Sequence, residues 1–100
     1  MRVDEDPPEK PDLYVLARFL DRLADPGEDH NKSSLQRVTR TNYDVFRRYL
    51  ALLEAKGWIA WEPREGRGQD RIHLTDEGRQ AYSELAGWIR EALGHGLLDP

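Results

Sequence analysis

The sequence predicts a mainly α chain with one β-hairpin, an α+β fold in the order helix-helix-helix-hairpin-helix. Three observations predict it. Apolar residues recur at spacings of three and four over Leu13–Ala24, from Thr41 to Gly57, and from Thr75 to about Leu93. Two short runs with a period of two, one holding Ile59 and Trp61 and the other Ile72 and Leu74, flank the polar stretch "PREGRGQD". Residues that cap or break helices stand at the joints between these segments.

Taken in order, residues 1–11 hold prolines and charges without apolar rhythm and are expected to form a flexible acidic tail. Asp12 caps the first helix, where Leu13, Leu16, Leu20 and Leu23 line a buried face widened by Val15 and Phe19. Pro26 and Gly27 stop it. A short second helix is expected from Ser33 or Ser34 through Arg37, interrupted by "VTRT". Thr41 then begins the third helix, with Asp44 three residues later as a shortened capping box, and Gly57 ends it as a left-handed residue. The hairpin follows, its tip polar and mobile. Thr75 caps the last helix, whose positive end favours Asp76 and Glu77. One domain is expected over 12–94, with helix 75–94 for dimerisation and 95–100 as a frayed C-terminus.

At 100 residues the chain supports one modest core. It has no cysteine, which excludes disulfides and thiolate metal sites. No apolar run approaches the roughly 18 residues that cross a bilayer, and "MRVDEDPPEKPD" is the reverse of a secretory signal. A cytoplasmic, nucleoid-associated protein is expected. The net charge is −4, yet its distribution matters more than its total. Residues 32–73 carry 9 basic and 5 acidic side chains, whereas 1–31 carry 4 and 9, and 74–100 carry 2 and 5. The positive charge sits in one central block.

A helix-turn-helix followed at once by a hairpin is the winged-helix arrangement. At about 100° per residue, Val45, Phe46, Tyr49, Leu50, Leu52 and Leu53 share one side of the third helix. Tyr43, Asp44, Arg47, Arg48 and Ala51 share the other, so the arginines face outward near the helix start. In helix-turn-helix proteins that start enters the major groove of DNA. Arg47 or Arg48 suits guanine, Asn42 suits adenine unless it caps the helix, and Thr41 and Tyr43 offer hydroxyls to phosphate. Arg40 stands directly before them. Asp44 supports the helix start and suits cytosine, but it repels phosphate. An ordinary solvated face would look the same, so the helix alone does not decide.

The hairpin adds Arg64, Arg67 and Arg71 around its tip, opposed by Glu62, Glu65 and Asp70. On the last helix Tyr82, Leu85 and Ile89 continue to Leu93, with Trp88 and Ala92 extending the face. So wide a stripe suggests a homodimer contact, the alternative being packing on the first helix. A dimer would double the contacts on a palindromic duplex. Nothing in the chain points to an enzyme, a cofactor, a metal or a small-molecule ligand. His30, His73 and His95 lack ligand spacing, and "GRG" sits at a hairpin tip rather than between a strand and a helix.

"KSSLQRVTRTNYDVFRRYLALLEAKGWI" together with "RIHLTDEGR" resembles a small winged helix-turn-helix family common in archaea. That family includes chromatin-associated proteins and transcription regulators that dimerise through a C-terminal helix. The resemblance spans about residues 13–93. It implies double-stranded DNA binding by a homodimer, with Asn42 to Arg48 and the hairpin arginines at the contact. Chromatin-type members are usually basic, so the acidic total favours a specific transcription regulator. The other expectation is a winged helix that docks on protein rather than on DNA.

Overall fold

The computed structural model describes residues 7–64, 66 and 68–93. Its elements are α1 (Leu13–Ala24), α2 (Lys32–Thr39), α3 (Tyr43–Ala55), β1 (Ile59–Glu62), β2 (Arg71–Leu74) and α4 (Asp76–Leu93). The architecture is mainly helical with one two-stranded antiparallel hairpin. Among the described residues, no helix is long and apolar enough to cross a membrane.

α1 begins where the Asp12 carboxylate turns back to accept from the Tyr14 and Val15 amides, at 2.8 and 3.3 Å. The Asp12 amide donates to the Tyr49 hydroxyl at 2.7 Å, which fastens the start of α1 to α3. Phe19 is fully buried and stacks on Phe46 and Tyr49, with centroids 5.7 Å apart in both pairs. Leu16, Leu20, Leu35, Leu50 and Leu53 complete the centre of the core. Leu13 departs from the expected face: it is 38% exposed and opens onto a surface groove beside Trp88.

α2 is longer than the sequence indicates. It starts at Lys32 because Asn31 caps it, with Ser34 completing a reciprocal capping box. It runs on to Thr39, whose buried hydroxyl donates back to the Leu35 carbonyl at 2.9 Å. The chain then turns through Arg40 in the left-handed region, φ 58° and ψ 41°. Asn42, not Thr41, caps α3, its Oδ1 accepting from the Val45 amide at 2.9 Å. Thr41 instead meets the Thr39 hydroxyl across the turn at 3.2 Å. Ala51, expected to face outward, is 4% exposed and belongs to the core.

Gly57 closes α3 at φ 71°, as its position in the sequence anticipates. The Trp58 amide donates to the Leu53 carbonyl and the Gly57 amide to Glu54, both at 3.0 Å, which is the Schellman pattern. The hairpin register pairs Ile59 with Leu74 and Trp61 with Ile72 on the apolar side, and Ala60 with His73 and Glu62 with Arg71 on the other. A third segment joins it, because the Ile72 amide donates to the His30 carbonyl at 2.8 Å. The His30 ring is buried between the Glu28 carboxylate at 2.7 Å and the Ser34 hydroxyl at 3.0 Å. Thr75 donates its hydroxyl to the Gly57 carbonyl at 2.6 Å and accepts from the Gly78 amide at 3.0 Å. One side chain therefore joins the end of α3 to the start of α4, which packs back along α1.

Candidate nucleic-acid interface

Helix capping places the sequence-identified residues at the start of α3. With Asn42 outside the first turn, Tyr43 and Asp44 are exposed, and Arg47 and Arg48 follow one turn later on the same side. Asp44 lies between the two guanidinium groups, 3.4 Å from each. Arg47 also covers the Tyr43 ring, its guanidinium carbon 4.8 Å from the centroid. Tyr43, itself 55% exposed, and Asp44 thus hold Arg47 in one orientation. The Asn42 oxygen is committed to the helix cap, which removes it from a bidentate contact to adenine.

The hairpin is fastened to the other end of α2. Arg64 reaches Asp29 at 2.7 Å, and Arg71 reaches the same carboxylate at 2.5 Å. Arg71 lies 3.9 Å from Glu62 as well. Gln69 meets Ser33 in the first turn of α2: its amide nitrogen donates to the hydroxyl at 3.0 Å, and its oxygen accepts from the Ser33 amide at 3.2 Å. Arg67 lies outside the described residues. Sequence reasoning missed Asp29, Gln69 and Ser33. Their contacts span 35 residues or more, and no local pattern announces pairings of that length.

Electrostatically, Arg47, Arg48, Arg64 and Arg71 each have a carboxylate nearby. Such exposed ion pairs contribute only about 0.2–1 kcal/mol and weaken with salt. A good bidentate arginine–guanine pair supplies about 1–3 kcal/mol of discrimination. These carboxylates hold the arginine side chains by contacts of the weak, exposed kind.

The expected dimer residues divide into two sets. Tyr82 and Leu85 are half-buried against the protein's own core and Ile89 is buried, so these three are largely occupied within the chain. The Tyr82 hydroxyl donates to Asp21 of α1 at 2.8 Å. That hydrogen bond, then burial, then the Asp21 charge raise the Tyr82 pKa above the ordinary 10.0. Trp88, 55% exposed, and Ala92 remain on the surface, and the Leu93 side chain lies outside the described residues. α1 contributes Leu13 and Tyr14 to the same apolar surface, a contribution the sequence did not reveal. Beside Trp88 they border a groove of about 310 Å³, adjoining another of about 500 Å³ between Tyr14, Arg18, Asp21, Tyr82 and Arg90. Compared with known proteins, the chain matches no family model and no curated sequence.

Proposed function

We propose that this chain is a winged helix-turn-helix transcription regulator that binds double-stranded DNA as a homodimer. In this reading the start of α3 enters the major groove and the hairpin lies along the backbone or the minor groove. One observation carries it: the two basic features sit at opposite ends of one short helix. The hairpin is docked on Asp29, just ahead of α2, and on Ser33 in its first turn, and three residues separate the end of α2 from the start of α3. Eight helical residues span only about 12 Å, so both features come within reach of one face of a duplex. The short pairing of His30 with Ile72, which braces the hairpin against the helical body, also supports the winged arrangement.

The exposed apolar surface of Leu13, Tyr14, Trp88 and Ala92 supports the dimer, because contiguous apolar surface seldom goes uncovered. Two copies would then present two α3 starts to a two-fold symmetric site. The reading is tested by selecting bound fragments from a pool of random duplexes. Enrichment of a palindromic consensus is expected, and no enrichment over the input pool would count against a sequence-specific regulator. A second reading, docking on another protein through the α3 face, is favoured by the exposed Tyr43 ring and by the carboxylate beside each of the four arginines. It predicts no duplex binding at low salt.

A further inference from the structure

Among the described residues, Arg40 is the only non-glycine with positive φ, at 58°. An L-residue there brings its β-carbon close to the following carbonyl, which glycine avoids, so glycine is the common choice at a helix end of this kind. The strain serves no visible packing purpose, since the Arg40 side chain is exposed. Its backbone amide donates to the Arg37 carbonyl at 3.3 Å, a bond glycine would make equally well.

A second, independent observation comes from the charges. Arg47, Arg48, Arg64 and Arg71 each stand beside a carboxylate. Arg40, and Arg37 one turn earlier, have no carboxylate among the described residues within ion-pairing distance. Both are exposed, at the end of α2 and immediately ahead of α3. The turn therefore carries uncompensated positive charge on a backbone that prefers glycine.

We propose that Arg40, seconded by Arg37, is a phosphate clamp, its charge placed in a left-handed turn that glycine would fill with less strain. This rests on the DNA-binding reading and divides labour within it. Arg37 and Arg40 supply sequence-independent affinity, and the Asp44-held Arg47 and Arg48 supply discrimination. Arg40 stands in the turn between α2 and α3, which puts its guanidinium within reach of a phosphate beside the groove that α3 would enter.

Two variants of the full chain separate strain from charge, each compared with wild type by anisotropy on a short mixed-sequence duplex over a salt series. Arg40→Gly relieves the backbone and removes the charge; Arg40→Gln removes the charge alone. Both are expected to weaken binding several-fold and to lower the log–log salt slope by about 0.9 per bound copy. Only Arg40→Gly is expected to raise Tm, on the order of 4 °C. Unchanged affinity and slope in Arg40→Gln would overturn the clamp, as would a lower Tm in Arg40→Gly. If wild type itself binds no duplex at low salt, the DNA reading fails and the clamp falls with it. Wild-type binding that both variants retain overturns the clamp alone.

Discussion

A β-carbon added to Gly78 would stand 2.1 Å from the carbonyl oxygen of Trp58. The first turn of α4 approaches the backbone that leaves α3 so closely that only hydrogen fits. Thr75 fixes this approach, its hydroxyl donating to Gly57 and its amide donating to Trp58 at 2.9 Å. Helix propensity favours alanine over glycine by about 1 kcal/mol, but the clash is with backbone and cannot be relieved by a rotamer change. Gly78→Ala is therefore expected to destabilise the protein by about 1–3 kcal/mol. Gly87 on the same helix has nothing within 4 Å of the added carbon, and Gly87→Ala is expected to stabilise by about 0.5–1 kcal/mol. Urea unfolding of both variants checks the pair; a neutral Gly78→Ala would contradict the packing described.

Asp44 stands 3.4 Å from both Arg47 and Arg48, so it opposes phosphate while orienting the arginines. Asp44→Asn is expected to raise affinity for nonspecific duplex several-fold and to narrow the gap between specific and nonspecific binding. Competition between a selected site and mixed-sequence DNA measures both. Weaker nonspecific binding in the variant would show that Asp44 does not oppose phosphate in this way.

Alkaline stability depends on Tyr82. Its hydroxyl donates to Asp21, and the folded state raises its pKa above 10.0. Between the unfolded and folded values the native state binds the extra proton, so stability falls as pH rises. This contribution is complete below pH 10.0 and is lost as pH climbs through the folded pKa. Tyr82→Phe should reduce stability at neutral pH and flatten its fall above pH 10.0, read from urea midpoints across the alkaline range. At the acid end Asp25 behaves in the opposite sense. The Gly27 amide, donating at 2.8 Å, holds its pKa below 3.8, so its contribution is lost as pH falls through that lowered value.

The proposed dimer surface is tested without disturbing the core. Trp88 is 55% exposed, whereas Ile89 beside it is buried. Trp88→Glu is expected to leave the far-ultraviolet circular dichroism unchanged and to shift sedimentation from dimer to monomer. A dimer that persists in this variant would place the contact elsewhere.

Elements were legible in the sequence wherever local chemistry decides them. Leu13–Ala24 was set by Asp12 and its leucine spacing, and Gly57 marked the end of α3. The paired alternation of Ile59 and Trp61 with Ile72 and Leu74 marked the hairpin and its apolar face. The capping residues were less legible: Asn31 and Asn42 cap α2 and α3, where serine and threonine nearby were equally good candidates. The site was legible as residues but not as an arrangement. Arg47 and Arg48 follow from helical spacing, whereas the Asp29 anchor for Arg64 and Arg71 depends on tertiary folding. The wide stripe of α4 misled in part, because Leu85 packs on the protein's own core and Ile89 is buried where α4 lies along α1.

In the proposed function the outward arginines of α3 bind a duplex. The affinity of wild type and the Arg47→Ala/Arg48→Ala double variant for a selected duplex across a salt series tests this. Both side chains are partly exposed, at 35% and 51%, so the fold and any dimer should survive their removal. Wild-type binding is expected to fall steeply with salt, and the double variant to lose specific binding while keeping its Tm within a few degrees. Unchanged duplex affinity in the folded double variant would mean that Arg47 and Arg48 do not bind DNA.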